Sequence, residues 1–191
     1  MFNVEEANHG IPDYIFFPHW SWPVAESVLA YNCVAFHMTD LPFGRGGSPL
    51  QNLIERGHDT TKITAFRMTE ELDAGPIYCK TEMSLDGAAH EIYDRAAEIS
   101  MDLMAHIVAN EPVPAPQEGI STSFQRRRPE QSVLPFGATP GWIYNHIRML
   151  DADGYPRAFL EWNDYLFEFR DAKLTGEEVN ARVRISVRRP S

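Results

Sequence analysis

The chain has 191 residues, a net charge of −10, 43% hydrophobic residues and 23% charged residues. Such a composition excludes the disordered and fibrous classes, and the length suits one domain with an appendage or two small domains. The acidic balance disfavours nucleic acid, whose binding rests on basic surface; no stretch approaches the ~20 apolar residues of a membrane span, and "MFNVEEANHG" has no signal-peptide pattern.

"IPDYIFF" (11–17) predicts a buried strand after a turn. "PHWSWP" is then a loop closed by Pro23, and "VAESVLA" a short helix. "CVAF" is a second strand, ending at His37. "SPLQNLIERG" puts Leu50, Leu53 and Ile54 on one helical face and ends at Gly57, a C-cap residue. "KITAFRM" alternates polar and apolar residues, the period of a half-buried strand. "ELDAGPIYCKTEMSL" is a loop around Gly75-Pro76 followed by another strand. Over 87–110, Ile92, Ala96, Ile99, Leu103 and Ile107 mark one face of a helix, with Asp86 as its N-cap. "NEPVPAPQEG" holds three prolines and is a linker or an extended crossing segment. "PGWIYNHIRMLD" is a helix, and "AFLEW", "YLFEF" and "VRISV" are strands joined by "ND" and by a charged loop.

Strands alternate with helices up to residue 110, which predicts an α/β layer with mostly parallel strands. The organisation expected is a core over 1–110, a proline-rich linker or crossing segment over 111–139, and a small C-terminal subdomain over 140–191. The first readable strand comes after only ten residues, so the chain is expected to be a fragment or reduced form of a larger domain. Its sheet would then have an exposed edge, and a homodimer is one way to cover it. Cys33 and Cys79, the two cysteines, make neither a disulfide framework nor a zinc site. A reducing, cytoplasmic setting is expected. The arginines of "RRR" (126–128) and of the tail "RVRISVRRP" read as a solvated face and a frayed end.

Ligands of open α/β sheets sit at the C-terminal ends of strands, where His37 and the loop after Phe17 fall. An imidazole can move a proton near neutral pH, and a carboxylate such as Asp73 would orient it. Gly44, Gly46 and Gly47 let backbone approach a ligand closely. Each signal has a plainer reading: His37 as a structural residue, Asp73 as a turn former.

Together, "FHMTDLPFGRGGSPLQNLI" and "ITAFRMTEELDAGPIY" resemble the signature of formyltransferases that use 10-formyltetrahydrofolate. That signature reads Asn-x-His, Leu-Pro, Arg-Gly, a Pro, and a later Leu-Asp-x-Gly. The family includes methionyl-tRNA formyltransferase, glycinamide ribonucleotide transformylase and the sugar N-formyltransferases. The resemblance covers residues 11–110, and "IYNHIRMLDADGYPRAF" is similar to the segment that follows the family's catalytic domain. It implies an α/β, Rossmann-like core, with its N-terminal part missing or reduced, and a small C-terminal α+β appendage.

The resemblance also implies roles. His37 matches the catalytic histidine, Asp73 its supporting carboxylate, and Arg45 and Gly46 the loop that shapes the active site. Met68, Thr69, Glu70 and Leu72 match the loop around the pterin ring. His19, Trp20, Ser21 and Trp22 occupy the strand-end loop lining the folate pocket, with Gly46 also beside the folate. Gly47, Ser48, Pro49 and Gln51 fall on the acceptor side. The co-substrate implied is 10-formyltetrahydrofolate, with no metal.

One departure is Ala35, which stands where the family has the asparagine that donates to the oxyanion; losing such a donor costs on the order of 10²–10³ in rate. His19 and Asn52 are candidates to replace it, and Asn32 would face the other side of a regular strand. The wording around His37 resembles sugar formyltransferases of bacterial surface-glycan pathways, including those acting on nonulosonic acids. An amino sugar, nucleotide-linked or not, is therefore the expected acceptor, with tRNA disfavoured by the charge. The rival readings are a formyltetrahydrofolate hydrolase, a non-catalytic folate-binding homologue, and an inert structural domain.

Overall fold

The computed structural model describes Gly10 and residues 12–187. Two compact units interleave along the chain: one is formed by 1–49, 61–83 and 96–124, the other by 50–60, 84–95 and 125–191.

The first unit is built on a sheet of β1 (Ile15–Phe17), β2 (Cys33–His37), β4 (Thr60–Arg67) and β5 (Ile77–Ser84), in that order, with α1 (Glu26–Leu29) between the first two. A short parallel pair joins β3 (Arg45–Gly46) to β6 (Ser123–Phe124). The sheet is mixed rather than mostly parallel. β1 runs parallel to β2, but β4 runs antiparallel to it, with His37 opposite Thr64 and Ala35 opposite Phe66. Alternation of strands and helices does not by itself set strand direction: the connection from His37 to Thr60 contains α2 (Pro49–Glu55), yet it returns β4 beside β2 in the opposite sense. β1 is shorter than expected and only half-buried, and it is the end strand of the sheet that the described residues form; Ile11, the start of the predicted strand, lies outside the described residues. α1 is a four-residue turn with no buried residue.

The core of this unit is apolar. Val34, Leu41, Ile63, Ala65, Phe66 and Met83 from the sheet region join Ala96, Leu103 and Ile107 of α3 (Ala89–Asn110). The predicted stripe on α3 holds with one change: Ser100 is buried and Ile99 only partly so. The Ser100 hydroxyl is satisfied within the helix by donating to the Ala96 carbonyl at 2.7 Å. Asp86 does not cap this helix, which begins three residues later. The Glu91 carboxylate instead accepts from the Ala88 N–H at 2.7 Å, filling the same need for an acceptor at the helix start.

The second unit contains α2 from Leu50 onward (the helix spans Pro49–Glu55), α4 (Pro140–Arg148) and an antiparallel sheet of β7 (Ala158–Trp162), β8 (Tyr165–Thr175) and β9 (Glu178–Val187). The last two strands run longer than the sequence suggested, because β8 and β9 continue past an irregularity between Arg170 and Lys173 to the tight turn at Gly176. Thr139 caps α4, its hydroxyl accepting from the Trp142 N–H at 3.3 Å, with Pro140 at the first helical position. Leu50, Leu53, Ile54, Ile147, Met149 and Leu150 are almost wholly buried.

Gln51 belongs to this interior. It is fully buried, donates to the Tyr93 hydroxyl and the Met149 carbonyl, each at 3.0 Å, and accepts from the Tyr155 hydroxyl at 3.1 Å. Burial pushes the Tyr93 hydroxyl pKa up to about 12. Arg127 is no solvated charge either, since its Nη1 lies 2.9 Å from Glu55 Oε2 and its side chain is 7% exposed.

His146 is buried against Trp142, the rings stacked at 4.4 Å and 18°, with Nε2 donating to the Ser132 carbonyl at 3.1 Å. Burial holds its pKa below the usual 6.5. The folded chain therefore keeps His146 neutral where the unfolded chain takes up a proton. Its stabilising contribution is complete above pH ~6.5 and is lost as the pH falls towards the depressed folded value. Thermal unfolding at pH 7.5 and pH 5.5 should show a drop in Tm on acidification that shrinks in His146→Gln.

Candidate active site

Three segments of the first unit meet at His37, the last residue of β2. Its Nε2 lies 2.8 Å from the Gly44 carbonyl, which can only accept, so that nitrogen carries a proton. Its Nδ1 lies 3.7 Å from Asp73 Oδ2, with the two side chains 10% and 15% exposed. That separation is an ion-pair distance, longer than a hydrogen bond. The same Asp73 oxygen accepts the Gly46 N–H at 2.8 Å. Both ring nitrogens thus face acceptors, and one carboxylate ties the histidine to the glycine strap.

Close packing dictates the strap's sequence. Gly44 has φ +72°, and a Cβ there would lie 2.6 Å from the Phe124 ring. Gly46 has φ +103°, and a Cβ there would lie 2.5 Å from the Phe124 carbonyl oxygen. These conformations are strained for any residue with a side chain. The strap is pinned by Gly44 N–H to the Thr122 hydroxyl at 2.8 Å, Arg45 N–H to the Thr122 carbonyl at 2.9 Å and Gly47 N–H to the Phe124 carbonyl at 3.2 Å.

Asp73 sits at the tip of the loop between β4 and β5 with φ +51°, a left-handed geometry that Asp tolerates better than most residues. Gly75 makes the loop possible: a Cβ on it would lie 1.7 Å from the Arg67 carbonyl oxygen. Gly75→Ala must therefore move backbone. It is expected to cost about 3 kcal/mol, read as a lower urea midpoint, and to draw Asp73 away from His37.

Arg45 is held by its neighbours. Its Nη2 and Nε donate to Gln117 Oε1 at 2.8 and 3.2 Å, and its Nη1 donates to Glu71 at 3.1 Å. Gln117 in turn donates from Nε2 to the Asp73 and Gly75 carbonyls, each at 2.9 Å. Sequence reasoning missed Gln117, because it lies 72 residues from Arg45 in a stretch that reads as a connector. The only sequence signal is indirect: prolines fix that segment as extended, and it pairs with β5 through Ala115 and Ile77.

The other predicted positions distribute as follows. Thr69, Glu70 and Leu72 are exposed on the Asp73 loop, Leu72 at 70%, and Met68 is half-buried with its N–H on the Cys33 carbonyl at 2.8 Å. Phe17 pairs with Ala35 in parallel, so the loop carrying His19, Trp20, Ser21 and Trp22 leaves at the sheet end that carries His37. Trp20 and Trp22 are not core residues. They are 47% and 69% exposed and meet edge to face at 5.6 Å. Gly47, Ser48 and Pro49 follow the strap and are half-buried. Gln51 is not brought to the site, its amide being used inside the second unit. Neither Asn32 nor Asn52 offers an idle amide near Ala35: Asn32 donates to the Asp13 carbonyl at 3.0 Å and Asn52 to the Gln125 carbonyl at 3.1 Å. Among the described residues no group of three or more His, Cys, Asp or Glu could hold a metal ion, and no helix is long and apolar enough to cross a membrane.

A proton-handling imidazole, a facing carboxylate and a glycine strap are parts suited to acyl transfer, and the comparisons agree. Residues 129–186 match the family model described as "Methionyl-tRNA formyltransferase, C-terminal domain". A solved methionyl-tRNA formyltransferase from Clostridium thermocellum is 48% identical and superposes with a TM-score of 0.90, covering 92% of this chain and 78% of that one. The methionyl-tRNA formyltransferase of Bacillus pumilus is 31% identical over 156 residues, 78% of this chain and 49% of its own length. The chain thus spans about half the length of the curated relatives it matches. A sugar 3N-formyltransferase solved in the presence of dTDP and 5-N-formyl-tetrahydrofolate shares the fold, with a TM-score of 0.62 at 15% identity, covering 90% of this chain and 74% of that one. The chain belongs to the formyltransferase family.

Proposed function

We propose that the chain transfers the formyl group of 10-formyltetrahydrofolate to the amine of an amino sugar, with His37 and Asp73 handling the proton. The observation that carries this reading is the single Asp73 oxygen facing both His37 Nδ1 at 3.7 Å and the Gly46 N–H at 2.8 Å. The amine attacks the formyl carbon, a C–N bond forms, and the carbonyl π pair moves onto oxygen. On collapse the bond from carbon to N10 of the folate breaks. His37, whose Nε2 already carries a proton for the Gly44 carbonyl, takes the proton the amine gives up at Nδ1 and passes one to N10, so the products are a formamide and tetrahydrofolate. Asp73 holds the imidazole in register and offsets its charge while it is protonated. Catalytic contacts that are long in the free protein tighten when substrate binds, and a proton on Nδ1 would turn the 3.7 Å ion-pair separation into a direct contact with Asp73. Leu72, Trp20 and Trp22 supply exposed apolar surface on which the flat pterin can stack.

An amino sugar is favoured over tRNA by charge. The net charge is −10, and in the C-terminal sheet carboxylates stand near the exposed arginines, Glu168 3.8 Å from Arg184 and Asp171 3.4 and 3.8 Å from Arg182 and Arg170. Nucleic acid binding needs unneutralised cations. Methionyl-tRNA is the second reading, favoured by the 48% identity to the Clostridium enzyme. The test is formylation of a panel of free and nucleotide-linked amino sugars beside methionyl-tRNA, with formate release followed in each. Formylated sugar is the expected product. Formylated methionyl-tRNA alone would select the second reading, and formate without any formamide would make the chain a hydrolase.

A further inference from the structure

We infer that Gln117 is a positioning residue for the active site, setting the Asp73 carboxylate towards His37 and holding Arg45 at the same time. The inference rests on the formyl-transfer reading for its effect on turnover, and on geometry for its effect on structure.

The Gln117 side chain uses its whole capacity within the site. An amide has two N–H donors and an oxygen with two lone pairs. Here both donors meet carbonyls of the Asp73 turn, at 2.9 Å to Asp73 and 2.9 Å to Gly75, and the oxygen takes two donors of Arg45, at 2.8 and 3.2 Å. Its neighbours Pro116 and Glu118 are exposed, whereas Gln117 is half-buried. The backbone on either side is fixed. Ala115 exchanges two hydrogen bonds with Ile77, at 2.7 and 2.9 Å, and Thr122 donates to the Pro42 carbonyl at 3.2 Å while accepting from Arg45. The amide therefore stands on a clamped strand and reaches two targets: a long guanidinium, and a turn whose key residue has φ +51°. A left-handed Asp costs energy and persists only when its surroundings hold it there. Gln117 is the side chain that supplies two of those holds.

The bond lost first should be the one that depends on the turn's shape. Asp73 Oδ2 accepts from the Gly46 N–H at 2.8 Å. The adjacent Gly47 N–H bonds to the Phe124 carbonyl and does not involve the turn. Amide hydrogen exchange at these two positions thus separates loss of Asp73 positioning from general loosening. Gln117→Glu is the informative variant beside Gln117→Ala. A carboxylate keeps an acceptor for Arg45 but presents oxygen to two carbonyl oxygens, so it should disturb the turn and spare the guanidinium.

The experiment measures exchange at Gly46 and Gly47, and kcat and KM for formyl transfer, in wild type, Gln117→Ala, Gln117→Glu, Asp73→Asn and the Gln117→Ala/Asp73→Asn pair. Both Gln117 variants should speed exchange at Gly46 at least tenfold and leave Gly47 within twofold. Both should lower kcat on the order of 10–10² with KM changed far less, and Gln117→Ala should cost less than threefold in the Asp73→Asn background, because its effect passes through Asp73. Unchanged exchange at Gly46, an unchanged kcat, or an equal loss in both backgrounds overturns the inference. If wild type formylates no acceptor, the formyl-transfer reading fails instead, and the exchange at Gly46 still decides whether Gln117 sets the turn.

Discussion

Replacing His37 by Ala should lower formyl transfer by on the order of 10²–10⁴, the range expected when a positioned general acid–base is removed. The substitution deletes the imidazole that the structure puts beside Asp73 and the Gly44 carbonyl. Binding of a tetrahydrofolate should survive, since the loops expected to cradle it do not depend on the ring. Single-turnover kinetics and folate titration on the same sample check both statements. Loss of rate with retained folate binding is the expected pair of results, and retained rate would assign the proton transfer to another group.

Asp73→Asn should lower kcat by on the order of 10²–10³, again within the acid–base range, with little change in KM. The amide oxygen can still accept the Gly46 N–H, so the strap keeps its anchor. What disappears is the negative charge facing His37 Nδ1 at 3.7 Å. Asp73→Ala removes both and should additionally lower Tm. Comparing the two variants by steady-state kinetics and thermal unfolding separates the charge from the anchor.

Much of the first unit was legible in the sequence because local signals and tertiary placement agree there. The run "CVAF" ends at His37, and the structure ends β2 there too. The stripe from Ile92 to Ile107 follows the helical period because one face of α3 is covered along its length. The motif spacing from His37 to Asp73 was readable only through family resemblance; the geometry now puts the pair at 3.7 Å. Strand direction was not legible, since nothing in "KITAFRM" tells which way the strand runs beside β2. Gln51 misled because it follows the strap directly in sequence, yet helical rotation turns it into the second unit's interior. Gln117 was invisible for the opposite reason: its partners are 42 to 72 residues away, and no local period encodes such contacts. Arg127 shows the same limit, its partner Glu55 being 72 residues distant.

The most direct test follows one carbon atom. Incubating the chain with 10-formyltetrahydrofolate labelled with ¹³C at the formyl group, together with an amino sugar, and reading the ¹³C NMR spectrum shows where that carbon goes. The label should move from the folate amide to a sugar formamide with wild type and stay in place with His37→Ala. Equal transfer by both proteins would contradict a reaction centred on His37 and Asp73, and a label that never reaches the sugar amine while the folate is bound would contradict the amino-sugar acceptor.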